Sequence, residues 1–191
     1  MVIPSDSDMY APYNRVKKSI DQFTKEHSIS YLLEKYIEKN FWVNELCNWF
    51  CVENIDNLTD FNYSRCFNYA INEGGLELFV GKNGFTDYVM EKGALNRVHV
   101  MISALAPYVA YQMVRYERRG DSIVMESGEK NYEWRERVNS SVIGLCKSNN
   151  LLMIGDKDLQ RIVEGVSLEL HGPGPSVFNI LFEDGASAYP F

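Results

Sequence analysis

The spacing of apolar residues predicts helices in the first quarter of the chain. An amphipathic helix is predicted to begin at Pro12, a residue favoured in a first helical turn, with apolar positions three or four residues apart. A second helix is predicted to begin near Ser28 or Ser30, each a good N-cap. A third apolar stripe continues that helix or follows a short break, and it comprises Trp42, Leu46, Trp49 and Phe50. Residues 12–52 are therefore predicted to be helical, after a loose tail at residues 1–10.

The pattern changes at residues 53–63, where Asn and Asp are dense and a loop is predicted. Strand-like runs follow at residues 66–71 and 76–80, separated by a Gly74-Gly75 turn. Asn83-Gly84 is a strong hairpin pair. Residues 85–90 either pair back as a strand or form one helical turn that ends at Gly93, and the pattern leaves both open.

The centre of the chain shows the clearest alternation. Val98, Val100 and Ile102 alternate with three other residues, and residues 108–116 are rich in β-branched and aromatic side chains before a turn at 118–121. Later segments are predicted as strands at 122–125, 151–154, 166–170 and 177–182, and as helices at 134–147 and 156–163. This order predicts a single α+β domain over residues 1–191, with amino-terminal helices packed on one face of a mostly antiparallel sheet that residues 63–191 supply.

Composition narrows the function classes. The chain has 191 residues and a net charge of -7, which argues against a general nucleic-acid-binding protein because phosphate attraction needs clustered Lys and Arg. Residues 28–62 carry six acids against two Lys. The longest apolar run, residues 101–114, is too short to cross a bilayer, which takes about 20 residues. No export segment is expected at the amino terminus, so we predict a cytoplasmic protein with four reduced Cys and no membrane association.

Catalytic and metal-binding motifs do not stand out. The three His and four Cys fall in no spacing typical of a metal or nucleophile site. His99 is the most interesting of these residues, since Ser103 shares its side of a strand and Cys146 could supply a nucleophile. His171 lies beside a Gly-Pro-Gly-Pro loop without a phosphate-binding fingerprint. We therefore predict no catalytic residue, no metal site and no cofactor.

An acidic, aromatic-rich domain of this kind favours a protein-binding function. Aromatic side chains concentrate at interfaces, and acidic groups would attract a partner with a basic surface. Two segments combine both residue types, the 53–63 loop and residues 132–136. The predicted partner-binding residues are Glu53, Asp56, Asp60, Phe61, Tyr63, Glu133 and Trp134.

Residues 97–108 (RVHVMISALAPY) run into a Tyr-rich strand, and the chain closes with residues 176–184 (SVFNILFED) and 189–191 (YPF). These segments resemble the immunity proteins of bacterial polymorphic-toxin systems and related uncharacterised bacterial domains. The resemblance covers roughly the last half of the chain. It implies a stoichiometric inhibitor that binds a cognate toxin without catalysis, and it carries no functional residue over to this chain.

Two alternatives come from other functional classes. One is a small-ligand-binding or enzymatic domain with a pocket between the sheet and the amino-terminal helices, near His99, Tyr108 and Trp49. The other is a homo-oligomeric structural or regulatory protein in which the aromatic helices of two copies pair.

Overall fold

The computed structural model describes residues 9–26, 36–62, 64–82, 84–128 and 130–184. The predicted second helix from Ser28 or Ser30 lies mostly outside these residues; its end is a short 3₁₀ helix, Tyr36–Glu38. The longer helices are α1 (Tyr13–Glu26), α2 (Lys39–Phe50), α3 (Phe85–Lys92) and α4 (Tyr132–Asn149), and the shorter ones are α5 (Asp156–Leu159) and α6 (Val177–Leu181). The strands are β1 (Asp56–Asn57), β2 (Cys66–Asn72), β3 (Ala94–Ser103), β4 (Tyr108–Arg119), β5 (Ser122–Ser127), β6 (Leu152–Met153), β7 (Ser167–Leu168) and β8 (Gly172–Pro173).

The main sheet is antiparallel from β1 to β5 in sequence order, and β6 joins the outer edge of β4 in parallel. Short turns join β3 to β4 and β4 to β5, as antiparallel neighbours allow, whereas the connection from β2 to β3 contains α3. The β7–β8 pair forms a separate small sheet. The α+β class predicted from the sequence is therefore confirmed. No helix within the described ranges is both long and apolar enough to cross a membrane.

Helices cover both faces of the sheet. We call face A the side that packs against α2 and α4, with Phe67, Tyr69, Val98, Val100 and Ile102. We call face B the opposite side, where α1, α5 and α6 cover Cys66, Met101, Tyr108 and Ala110. At the far end of face B, α3 covers Leu95. The predicted packing on one face is thus incomplete, and β3 is buried along nearly its whole length because helices cover it from both sides.

Three segments differ from the local predictions. Residues 76–80 form no strand, because the Asn72 side-chain amide donates to the Leu76 and Leu78 carbonyls and holds this segment against the end of β2. Gly84 does not close a hairpin; it is the N-cap of α3, and Gly93 ends that helix with a positive φ. Residues 177–181 form α6 rather than a strand, and Phe182 is the C-cap.

Residues 177–182 are apolar except for Asn179, and so short a run has no periodicity that separates a strand from a helix. Ser176 decides the outcome, because its hydroxyl caps the Asn179 N–H in a capping box. Two elements are shorter in the structure than predicted: the helix predicted at 156–163 is only α5, and the strand predicted at 166–170 is only β7. The loose tail ends earlier than predicted, since Met9 is buried and Tyr10 pairs with Met153.

Helix α4 begins two residues before and ends two residues after its predicted bounds. Its core side carries Trp134, Val138, Val142 and Leu145, as predicted. Ser141, which was expected to face water, is buried because its hydroxyl donates to the Trp49 carbonyl at 2.9 Å. Trp49 in turn covers Gly144, where any side chain would overlap the indole ring. This contact locks α2 against α4.

Candidate functional site

The acidic 53–63 loop runs along the outer edge of β2 instead of forming one cluster. Asp56 lies opposite Ala70, and the Leu58 N–H donates to the Asn68 carbonyl at 2.8 Å. The loop therefore runs antiparallel to β2, which has seven residues and spans about 20 Å. Glu53 lies near the end of β2 and Asp60 near its beginning. A partner would meet these two acids at opposite ends of the sheet.

Asp56 is partly buried and faces a buried arginine. Its Oδ2 accepts a hydrogen bond from Arg97 Nη2 at 2.8 Å on face B. The Arg97 side chain is 2% exposed and that of Asp56 is 21% exposed. A buried guanidinium needs a nearby opposite charge, because taking it out of water is costly. The Asp56 carboxylate is thus engaged by Arg97, and its role in partner binding stays a prediction.

The remaining residues of the loop separate into surface and core. Asp60 is exposed, and its Oδ1 accepts from the Asn62 N–H at 3.0 Å, which shapes the turn. Phe61 packs edge-on against Phe67 with 5.2 Å between ring centroids, so it supports the core of face A. Tyr63 lies outside the described residues.

The second predicted segment exposes a different aromatic residue from the one expected. Trp134 is 3% exposed and belongs to the core between α4 and face A. Tyr132 is 68% exposed and lies beside Glu133, which is also exposed. Trp134 has helical spacing with Val138 and Val142, which indicates that Trp134 faces the core. The same spacing indicates that Tyr132, on another side of the helix, faces solvent.

The turn that follows β2, residues Glu73–Gly75, joins the two predicted segments. Val52 packs directly against Gly75, where an added Cβ would lie 3.0 Å from its Cγ1. On the other side, Asn131 Nδ2 donates to Glu73 Oε1 at 2.6 Å. Glu53 is the residue after Val52, and Tyr132 is the residue after Asn131. Residues about 80 apart in the chain thus reach one end of the molecule.

We call this end the Tyr132 surface, and define it by its exposed side chains, which are Glu53, Tyr132, Glu133 and Glu136. Its base is rigid. Asn131 caps α4 by accepting the Trp134 N–H at 3.2 Å, and Glu73 also accepts from Asn96 Nδ2 at 2.7 Å. Arg135 and Arg137 are exposed on the same helix, so the local negative charge is weaker than the composition of the two segments suggests.

The groups considered for catalysis lie on opposite sides of the sheet. His99 is on face B, in register with Gln112 and Ala70, whereas Cys146 packs on face A. Burial, with a smaller effect of the Arg97 charge, lowers the pKa of His99 to about 4. Burial raises the pKa of Cys146 to about 12. A neutral His and a protonated thiol separated by a sheet cannot act as a base and nucleophile pair.

Ser103 and His171 also have structural roles. The Ser103 hydroxyl donates to the Leu181 carbonyl at 2.9 Å and accepts the Leu105 N–H at 3.2 Å, which fixes the turn after β3 to α6. The His171 N–H donates to Asp184 Oδ1 at 3.1 Å, so the Gly-Pro-Gly-Pro loop is anchored to the end of the described chain. Within the described ranges, no group of three or more His, Cys, Asp or Glu side chains could hold a metal ion.

The described residues line at least two cavities. One, of about 360 Å³, lies at the outer edge of β4 where β5 and β6 diverge, and among its walls are Tyr10, Tyr111, Gln112, Ser127 and Asp156. The other, of about 320 Å³, lies between α2 and face A, and among its walls are Glu38, Trp42, Phe67, Ile102, Leu105 and Leu151.

The second cavity is in the layer where a pocket was predicted, but the predicted lining is wrong. His99 and Tyr108 are on face B, and Tyr108 shares a hydrogen bond with Ser19 of α1. Trp49 packs on α4 instead.

Comparison with known proteins leaves the family open: no family model, no curated protein and no solved structure matches the chain.

Proposed function

We propose that the protein is a non-catalytic binding protein of the immunity type, which neutralises a cognate bacterial toxin in the cytoplasm by stoichiometric binding. The observation that carries this proposal is the Tyr132 surface. A ring that is 68% exposed stands on an ordered helix end, and the exposed carboxylates of Glu53, Glu133 and Glu136 belong to the two segments that meet at this end of the molecule. The proposed partner is a protein with a basic contact surface, without nucleic acid or membrane.

Tyr132 has the properties of an interface anchor. Tyrosine supplies a large apolar area and a hydroxyl, and it loses little side-chain entropy when it is fixed. The helix end beneath it is already ordered by Asn131 and Glu73, so binding would not have to order the backbone.

The acids around Tyr132 would guide association more than they hold the complex. Glu53, Glu133 and Glu136 are solvent-exposed, so each contributes a screened attraction. Such charges mainly raise the association rate at low salt, while buried anchors set the dissociation rate. Because Asp56 pairs with Arg97, we assign the electrostatic role predicted for the 53–63 loop to Glu53 together with Glu133.

The test uses the product of the gene adjacent to the coding sequence. We expect the two purified chains to form a 1:1 complex by native mass spectrometry, and co-expression to restore growth when the neighbouring product is toxic. Tyr132→Ala should raise the dissociation rate by roughly tenfold or more, the scale of an interface hot spot. Glu53→Lys with Glu133→Lys should slow association about tenfold at low salt and little at high salt.

Leu170→Ala is the matched control, because Leu170 is an exposed apolar residue of the β7–β8 region and not of the Tyr132 surface. It should bind like wild type. A complex that tolerates Tyr132→Ala but loses affinity with Leu170→Ala would move the interface elsewhere. Failure to bind or to restore growth would refute the immunity function itself.

A further inference from the structure

The cavity at the outer edge of β4 combines two aromatic rings with one carboxylate. Tyr10 and Tyr111 supply the rings, Met113 supplies a thioether, and Asp156 supplies the carboxylate. Among the lining residues that the structure describes, Asp156 carries the only charge, and none is Lys or Arg. The cavity measures about 360 Å³, which lies within the range of small-ligand pockets, about 300–1,000 Å³.

The fold holds both rings in place. Tyr10 pairs with Met153 of β6 in a parallel bridge, and its ring packs on Gly155, where an added Cβ would lie 3.8 Å from Tyr10 Cδ1. The Tyr111 hydroxyl donates to Asn139 Oδ1 at 2.8 Å, which ties the second ring to α4. Walls that are already ordered lose little entropy when a ligand binds between them.

The groups of this cavity are accessible from solvent. Tyr10 is 44% exposed, and Asp156 and Ser127 are also exposed. The charge of Asp156 acts on the inner ring: burial is the main cause that raises the pKa of Tyr111, and Tyr10 and the Asp156 carboxylate raise it further. Tyr111 is therefore a neutral phenol with a carboxylate nearby.

The chemistry of the walls selects the class of ligand. The faces of aromatic rings attract cations, and a carboxylate adds to that attraction while it repels anions. A primary ammonium has N–H donors whose hydrogen bonds to water must be replaced in the cavity. A quaternary ammonium has none, so rings and one opposite charge are sufficient for it.

We propose that this cavity binds a small quaternary ammonium ion, whose methyl groups pack against the Tyr10 and Tyr111 rings while its charge faces the Asp156 carboxylate. The proposal is independent of partner binding at the Tyr132 surface, which is built from other residues.

The test compares two probes of the same shape by NMR at fixed ionic strength. Choline carries the quaternary nitrogen, and 3,3-dimethylbutan-1-ol has a carbon atom in its place. Choline should move the amide resonances of Ser127 and Gly128, which line the cavity, to saturation. The amide of Leu105, which lines the other cavity, should stay in place. Choline should bind about fivefold more tightly than the alcohol, the scale of cation–π and screened ion-pair contacts at a partly exposed site.

Two variants test the origin of that preference. Tyr10→Leu removes one ring but keeps an apolar side chain, and Asp156→Asn removes the charge. Each should reduce the preference for choline to about twofold or less, on the scale of one lost contact. Asp158→Asn is the matched control, because Asp158 lies on the same short helix, pairs with Arg161 and does not line the cavity. It should retain the preference.

Tetramethylammonium should displace choline, and potassium at the same concentration should not. Equal affinity of choline and the alcohol for the wild-type chain, a preference that survives in both variants, or displacement by potassium as effective as that by tetramethylammonium would each overturn the proposal. The comparison of probes on the wild-type chain holds even if Tyr10→Leu fails to fold.

Discussion

The Asp56–Arg97 ion pair makes a prediction that separates a structural acid from a surface acid. Replacing Asp56 with Asn removes one charge and leaves the shape nearly unchanged. Arg97, 2% exposed, then keeps its positive charge in the interior. Its Nε already lacks a hydrogen-bond partner, so the guanidinium has little else to compensate for the lost carboxylate. We expect Asp56→Asn to destabilise the fold strongly.

The magnitude follows from the two exposures. At a charge separation of about 4 Å and an effective dielectric constant of about 20, the attraction is about 4 kcal/mol. Removing one partner of a buried pair typically costs 3–5 kcal/mol. Asp56 retains 21% exposure, so water reaches the pair from one side and reduces the effect. We therefore expect a loss of about 3 kcal/mol, a large part of the roughly 5–15 kcal/mol that holds a domain folded.

The two partners should respond unequally. Arg97→Met removes the buried charge itself, and the Asp56 carboxylate that remains can reach water, so this variant should lose only about 1–2 kcal/mol. The double variant should be more stable than Asp56→Asn alone, because no uncompensated charge is left inside. Glu53→Gln is the control in the same loop, since Glu53 is exposed, and it should remain within about 0.5 kcal/mol of wild type.

Urea denaturation of the four variants, followed by tryptophan fluorescence, gives the free energy of unfolding and the m-value. The argument would be refuted if Asp56→Asn unfolded within 0.5 kcal/mol of wild type, on the order of the control variant. It would equally fail if the double variant showed no coupling between the two positions.

Two further predictions concern titratable groups. Burial, and to a lesser extent the Arg97 charge, lowers the pKa of His99 to about 4 in the folded chain. An unfolded His has a pKa near 6.5. Between pH 4 and pH 6.5, His99 is therefore protonated in the unfolded state and neutral in the folded state. The free energy of unfolding should thus fall by about 2 kcal/mol from pH 7 to pH 5 on account of His99. In His99→Gln, urea denaturation should show a pH dependence smaller by this amount. An equal pH dependence in wild type and His99→Gln would contradict this prediction. For the thiols, burial raises the pKa of Cys66, Cys146 and, more weakly, Cys47, while Cys51 is exposed. Ellman's reagent at pH 8 should therefore react first with Cys51 in the native chain and with all four free Cys only in denaturant; rapid native labelling of Cys66 or Cys146, or fewer than four thiols after unfolding, would count against this assignment.

The elements with strong periodicity were predictable from the sequence. The alternation at Val98, Val100 and Ile102 identifies β3, and the turn at 118–121 joins β4 to β5 as expected. Helix α4 was found because its apolar residues recur every three or four positions over five turns. In these segments, the residues that contact the core are neighbours in the chain at a fixed period, so local pattern and tertiary burial carry the same information.

Short segments without a clear period were not predictable in this way. Five of the six residues 177–182 are apolar, and the Ser176 cap makes residues 177–181 helical. Residues 76–80 have the composition of a strand, but the Asn72 amide uses two of their carbonyls. A short, mostly apolar segment shows no clear periodicity, so its sequence does not distinguish a helix from a strand. Its structure depends on hydrogen-bond partners outside the segment.

By itself, the sequence determined the α+β class and the antiparallel character of the central strands, and it showed no recognisable catalytic motif. Only the tertiary structure decided which acids and aromatic rings face water. Asp56 turns inward because Arg97, 41 residues away, is buried beside it, and Tyr132 faces outward because Trp134 fills the core. The Tyr132 surface exists because Glu73 and Gly75 connect two segments that the chain keeps apart. Charge and aromaticity are properties of single residues, whereas exposure is set by long-range packing, which local patterns do not record.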